Sequence, residues 1–160
     1  MSEDAAIAGV ELVQPPTFAD ERGIVYRMLR TTDPHFRGFG EIYFSTAYPG
    51  AVKAWKKHRR LTATYACFTG RIRMVLFDAR MDSPTSGRMS EIMMGPDEYR
   101  LLVVPPGIWY GFQGLGVPLS VVAVCASEPH DPAEFDRVPP SSSEIPYRWP
   151  SPIAEAVRHE

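Results

Sequence analysis

Apolar residues in this chain come in short runs in which Val, Ile, Leu, Tyr and Phe alternate with polar positions, and each run is closed by glycine, proline or a polar cluster. A period of two between breakers predicts β-strands, whose successive side chains point to opposite faces of a sheet. Ten strands are predicted, over residues 7–13, 23–29, 41–47, 52–58, 63–68, 71–78, 89–94, 100–104, 108–112 and 119–126. So many short strands imply an all-β sandwich or barrel. Thr69-Gly70 reads as a tight hairpin connection, and Asp82-Ser83-Pro84-Thr85-Ser86-Gly87 as a longer polar turn. The only helical pattern lies at 150–160, where Ile153, Ala154 and Val157 share a face behind Ser151-Pro152. No internal repeat is visible, and Pro139-Pro140-Ser141-Ser142-Ser143 reads as a surface loop. The reading is a single domain over 1–160, with a barrel core at about 7–127 and a C-terminal extension at 128–160.

Composition narrows the partners. At 160 residues, 44% hydrophobic and 11% aromatic, the chain has enough apolar material for one core. A net charge of −2 argues against general affinity for nucleic acid or an acidic membrane. Lys56-Lys57-His58-Arg59-Arg60 therefore reads as a solvated strand end. Cys67 and Cys125 sit inside apolar runs, which gives no disulfide framework and fits a reducing compartment. The start, Met1-Ser2-Glu3-Asp4, is acidic where a secretory leader would be basic, and no apolar run reaches the ~18 residues of a membrane span. The expectation is a cytoplasmic protein.

From Gly50 to Gly70 the chain reads Gly-Ala-Val-Lys-Ala-Trp-Lys-Lys-His-Arg-Arg-Leu-Thr-Ala-Thr-Tyr-Ala-Cys-Phe-Thr-Gly, and Pro105-Pro106-Gly107-Ile108-Trp109-Tyr110 opens a later strand. This spacing resembles the two motifs of the cupin superfamily and implies a double-stranded β-helix, a jelly-roll barrel. The positions matching that superfamily's metal ligands hold Lys56, His58, Ala63 and Tyr110. One histidine does not supply the three or four N/O donors of a divalent metal, so neither metal nor other cofactor is expected.

Three further stretches resemble the dTDP-4-dehydrorhamnose 3,5-epimerase group of cupins. Phe18-Ala19-Asp20-Glu21-Arg22-Gly23 is similar to its Phe-x-Asp-x-Arg-Gly, residues 78–87 to its Asp-x-Arg-x-x-Ser-Pro-Thr-x-Gly, and residues 105–112 to its Pro-x-Gly-x-x-His-Gly-Phe. The resemblance spans about residues 7–150 and implies a homodimer acting on a nucleoside-diphosphate sugar. It puts Arg22 and Lys53 at positions that contact the diphosphate. It also puts Lys56 where the group has its histidine base and Val124 where it has its tyrosine acid. The group's enolate-stabilising lysine falls near Ala63, and the aspartate that orients its histidine falls near Ser142.

Alternation places Val52, Ala54, Lys56 and His58 on one strand face, which the cupin match makes the barrel interior. Desolvation and a protonated His58 would depress the Lys56 pKa and let a neutral amine act as base. The competing reading keeps Lys56 at the barrel mouth, charged and holding a phosphate. His58 is either a satisfied interior histidine or a proton-transfer group. Tyr110 and Tyr65 face inward as proton donors or as packing. His130, in Pro129-His130-Asp131-Pro132, reads as a rim loop residue. The candidate catalytic set is Lys56, His58, Tyr110 and Tyr65. The expected function is metal-independent epimerisation or isomerisation of a nucleoside-diphosphate 4-keto-6-deoxy sugar, for polysaccharide or glycosylated natural-product assembly. The alternatives are a non-catalytic cupin that binds a nucleotide sugar or other small molecule, and a barrel repurposed for non-sugar chemistry.

Overall fold

The computed structural model describes residues 7–151. In chain order its strands are β1 (Glu11–Val13), β2 (Thr17–Asp20), β3 (Gly23–Tyr26), β4 (Glu41–Ala47), β5 (Val52–His58), β6 (Ala63–Thr69), β7 (Ile72–Asp78), β8 (Met89–Met94), β9 (Leu101–Val104), β10 (Ile108–Gly114), β11 (Ser120–Ala126) and β12 (Phe135–Arg137). A 3-10 turn, Pro132–Glu134, leads into β12. Two five-stranded sheets, β1-β9-β6-β11-β4 and β12-β5-β10-β7-β8, face each other, and β2–β3 forms a separate hairpin. This is the all-β jelly roll expected from the sequence. No helix among the described residues is long and apolar enough to cross a membrane.

The strands predicted at 41–47, 52–58 and 89–94 coincide with β4, β5 and β8. β2 and β12 were not expected. β2 follows Pro15-Pro16 and is exposed throughout, so no buried face marks it, and β12 is only three residues long. The Thr69-Gly70 turn is not a hairpin, because β6 and β7 lie in different sheets. Gly70 carries the chain between them at φ +77°, where a Cβ would lie 2.6 Å from Ser120 Oγ. Most of the predicted helix at 150–160 lies outside the described residues.

The core follows the two-residue period. Tyr65 and Cys67 of β6, Val122 and Val124 of β11, Met74 and Leu76 of β7, and Tyr110 and Phe112 of β10 all point between the sheets. On the outer face of the second sheet, Trp55, Val75 and Trp109 are covered by Ile145, Tyr147 and Trp149 of the C-terminal segment. The Trp55 and Trp149 ring centroids stand 5.0 Å apart.

One irregularity corrects the predicted parity of β5. Lys56 lies opposite Tyr110 of β10, whereas Lys53 lies opposite Phe112. β5 thus carries one extra residue, a β-bulge that places both Ala54 and Trp55 against Gly111. The inner face of β5 holds Lys53, Lys56 and His58, and not the Val52-Ala54-Lys56-His58 set that unbroken alternation predicts. Gly111 makes room for the bulge, since a Cβ there would lie 2.4 Å from that of Ala54.

The Asp-x-Arg-x-x-Ser-Pro-Thr stretch is a structural knot. Asp78 is fully buried, and its carboxylate accepts hydrogen bonds from Arg80 Nε (2.9 Å), Ser83 Oγ (2.6 Å) and Thr85 Oγ1 (2.6 Å). Thr85 Oγ1 also accepts from the Ala8 backbone at 2.9 Å, which ties the N-terminal segment to the loop after β7. Burial works to raise the Asp78 pKa, but the donors from Arg80, Ser83 and Thr85 hold it well below the ordinary carboxylate range.

Replacing one member of a buried, paired set leaves the others unpaired, so Asp78→Ala is expected to lower the unfolding free energy by about 3 kcal/mol at neutral pH. Because the folded-state pKa is depressed, the Asp78 contribution is fully present above the unfolded value near ~4 and is lost as pH falls below it. Urea titrations of both proteins should therefore converge under strongly acidic conditions. Gly111→Ala forces a side chain into the bulge and is expected to cost about 1–3 kcal/mol by the same measurement.

Candidate active site

A cavity of about 480 Å³ opens between the sheets beside β4 and β5, with Tyr43, Lys53, Lys56, Tyr65, Tyr110 and Arg137 on its walls. The bulge turns one of these side chains, Lys53, inward. Lys53 Nζ donates to Ser45 Oγ of β4 at 3.0 Å, reaching across from one sheet to the other. Lys56 is half-buried, and its ammonium stands 4.2 Å from the centroid of the Phe135 ring. Lys56 also lies opposite Arg137 in the β5–β12 ladder. Loss of solvation, and then the Arg137 charge, lower the Lys56 pKa, against an opposing pull from Glu134 and Glu41.

Behind Lys56 runs a polar chain. His58 is buried between Glu134, whose Oε1 meets Nδ1 in a short contact, and Tyr110, whose hydroxyl lies 2.8 Å from Nε2. Glu134 ends the 3-10 turn, where the Asp131 side chain accepts from the Ala133 backbone. The backbone N–H groups of Arg59, Arg60 and Leu61 donate to Glu134 Oε2 at 3.2, 2.9 and 3.2 Å. Burial pushes the Glu134 pKa up, but these amides and His58 outweigh it and lower it overall. For His58 burial dominates and lowers the pKa despite the carboxylate.

The Tyr65 hydroxyl adjoins those of Tyr110 and Tyr43, and the Tyr65 and Tyr110 ring centroids are 5.4 Å apart. Burial raises the pKa of all three phenols, so each carries its proton across the neutral range. Burial also pushes the Cys67 thiol up to about 11, and both Cys67 and Cys125 are buried and unpaired. Neither has the depressed pKa of a reactive thiol. Among the described residues no three His, Cys, Asp or Glu side chains cluster to hold a metal ion.

Of the candidate residues, Lys56, His58, Tyr65, Tyr110 and Lys53 come together here. Arg22 does not, since it lies in the β2–β3 hairpin with Nη2 2.6 Å from Asp20 Oδ2. His130 is exposed with its ring 5.5 Å from that of Phe135, at a small recess beside Lys56 and His58. In the basic run, Lys57 turns outward over Trp109 at 4.8 Å, Arg59 pairs with Asp136, and Arg60 pairs with Glu128 at 2.9 Å. These pairings fit a solvated strand end. Val124 faces the cavity and Ala63 the small recess, neither with a polar side-chain atom.

Tyr43, Glu134 and Arg137 are site residues that sequence reasoning missed. Tyr43 was accessible from the alternation in 41–47. Glu134 and Arg137 carry no periodic signal, because they come from the 3-10 turn and a three-residue strand. Taken together, the cavity offers three basic side chains, one of them the Lys56 amine of lowered basicity, and three proton-bearing phenols. Such a set suits an anionic ligand with a proton-active centre.

Comparison with known proteins places the chain in a family. The family model for dTDP-4-dehydrorhamnose 3,5-epimerase matches residues 4–158. The spore coat polysaccharide biosynthesis protein SpsL of Bacillus subtilis is 31% identical over 146 residues, 89% of this chain and 96% of its own. The probable low-salt glycan biosynthesis epimerase Agl13 of Haloferax volcanii is 30% identical, with 88% of each chain covered. The crystal structure of a dTDP sugar isomerase from Desulfovibrio desulfuricans superposes with a TM-score of 0.87 at 43% identity, over 90% of this chain and 92% of that one. With the fold, the ordered motifs and the matched length in agreement, the chain belongs to the dTDP-4-dehydrorhamnose 3,5-epimerase family of cupin barrels.

Proposed function

We propose that this protein is a metal-independent epimerase or isomerase of a nucleoside-diphosphate 4-keto-6-deoxy sugar, working by proton abstraction beside the keto group. The observation that carries the reading is Lys56, an amine of lowered pKa in an open cavity, flanked by the Tyr65 and Tyr110 walls. As a neutral amine it takes the proton from the carbon next to the carbonyl. The Tyr65 and Tyr43 phenols supply the donor for the enolate oxygen and the proton that returns to carbon, and the Glu134–His58 pair holds Tyr110 in place beside them. Lys53 and Arg137, at the cavity wall, hold the diphosphate. The names of SpsL and Agl13 refer to polysaccharide and glycan biosynthesis, and we assign this chain to the same kind of work.

The working unit in this reading is a homodimer. Strand β4 is a sheet edge, and Phe44 is 66% exposed on it beside Ile42. The β2–β3 hairpin, with Val25 62% exposed, is a second apolar surface. A two-fold pairing that seats each hairpin against the partner's β4 covers both surfaces and carries Arg22 toward the partner's cavity. Phe44→Glu is expected to give monomers in sedimentation velocity and to lower activity with them. A monomeric wild type would refute the pairing.

Proton NMR in D₂O with freshly prepared dTDP-4-keto-6-deoxyglucose tests the chemistry. The expected result is loss of the sugar C3 or C5 proton signal, abolished in Lys56→Ala and not rescued by Lys56→Arg, since a guanidinium stays protonated. Because the Lys56 pKa is lowered, the neutral amine forms at lower pH than in free lysine. The exchange rate should rise with pH and level off below the ordinary value near ~10.4. Nucleotide binding without exchange would favour a non-catalytic binder, and absence of both would remove this nucleotide sugar as the substrate and leave the substrate class open.

A further inference from the structure

Glu134 does more than close a turn. Glu134 is 1% exposed; its Oε2 accepts from the Arg60 and Leu61 backbone N–H groups and shares the Arg59 N–H with its own backbone carbonyl, and its Oε1 lies against His58 Nδ1. A carboxylate gathering that many donors is ionised and accepts only, so the hydrogen between Glu134 and the imidazole belongs to Nδ1. A neutral ring with its hydrogen on Nδ1 leaves Nε2 as an acceptor, and the group at Nε2 is the Tyr110 hydroxyl at 2.8 Å. The single phenolic hydrogen is thereby committed to His58. The other charged or titratable groups at His58 are Lys56 on its own strand and His130 in the loop before the 3-10 turn, and the Phe135 ring packs at 5.9 Å. Neither Lys56 nor His130 is hydrogen-bonded to the ring, so neither competes with Glu134 for Nδ1.

We infer that Glu134 is a positioning residue that sets the polarity of Tyr110: it keeps the His58 hydrogen on Nδ1, so that the Tyr110 oxygen meets the cavity as an acceptor for a substrate hydroxyl. The order carboxylate, imidazole, hydroxyl is the arrangement in which a buried carboxylate fixes a histidine tautomer. The hydroxyl part of the inference rests on the sugar-nucleotide reading, and it divides the labour between the tyrosines. In the free protein the Tyr65 hydroxyl is hydrogen-bonded to Tyr110; a sugar hydroxyl takes that place at Tyr110 and releases Tyr65, with Tyr43, to donate to the keto oxygen.

Long-range ¹H–¹⁵N correlation spectra of the full chain test this without any sugar present, with His58 assigned by its loss in His58→Gln. Wild type is expected to show Nδ1 protonated and Nε2 bare. In Glu134→Gln the three backbone amides retain the oxygen, so the Gln NH₂ group faces Nδ1 and drives the ring hydrogen to Nε2. The two nitrogen signals exchange character, and Tyr110 turns its hydrogen into the cavity. Tyr110→Phe, which leaves Glu134 in place, is expected to keep the wild-type tautomer. A bare Nδ1 in wild type, an unchanged pattern in Glu134→Gln or a shifted hydrogen in Tyr110→Phe would each overturn the assignment. With dTDP-4-keto-6-deoxyglucose, Glu134→Gln should lower the rate of deuterium exchange at saturation about tenfold or more with KM little changed. If the tautomer is as expected but the wild type exchanges nothing, the sugar reading fails and the positioning of Tyr110 stands.

Discussion

The contact between Gly111 and the Ala54-Trp55 bulge organises both faces of the second sheet. An extra residue on β5 reverses the alternation at that point, and only a residue without a side chain on β10 admits it. On one side the reversal sends Trp55 outward, where it joins Trp109 and Trp149 and anchors the C-terminal segment. On the other it turns Lys53 inward alongside Lys56 and His58. The Trp55 backbone exchanges hydrogen bonds with Val138, at 2.9 and 3.3 Å, and so draws β12 against β5. Glu134 and Arg137 reach the site through that pairing. Packing and chemistry thus share one local cause.

The polar groups of the site compete for solvation and for each other. Burial alone raises the Glu134 pKa, yet the Arg60 and Leu61 amides and the imidazole outweigh it and lower it overall. Burial alone also disfavours protonated His58, and here the single carboxylate does not outweigh it. The difference lies in the number of donors: Glu134 has four and His58 has one charged partner. Lys56 sits between these regimes, half in solvent, with Arg137 opposite it in the ladder and raising the cost of its charge. Lys53, Lys56 and Arg137 together leave a positive cavity wall in a chain whose net charge is −2. An anionic ligand relieves that repulsion.

Most of the barrel was legible in the sequence because burial on one face imposes a period of two, and punctuation by glycine and proline marks the ends. β4, β5 and β8 are read to the residue for that reason. β2 and β12 are not, because an exposed hairpin and a three-residue strand have no buried face to impose the period. The same logic divides the site. Lys56, His58, Tyr65 and Tyr110 stand on long strands, and alternation points them inward. Lys53 has the wrong parity until the bulge is known, and a bulge shows in sequence only as a glycine on the neighbouring strand. Glu134 depends on a long-range pairing between residues 58 and 135, which no local pattern encodes.

The motifs that mark the family and the residues that face the cavity are largely different sets. Asp78, Arg80, Ser83 and Thr85 hold a loop to the N-terminal segment, and Gly111 accommodates a bulge. None of these five faces the cavity, although they carry much of the resemblance. They help to fix the walls, whose strands β4, β5, β6, β10 and β11 are held in register by pairings through β10, β6 or β11, and β12 by its pairing with β5. With the walls fixed, the chemistry is free to be set by a few inward side chains whose replacement leaves the core intact. The Glu134–His58–Tyr110 chain is one such set. It is built on a strand, a neighbouring strand and a single turn, and its geometry follows from pairings that the structural motifs secure.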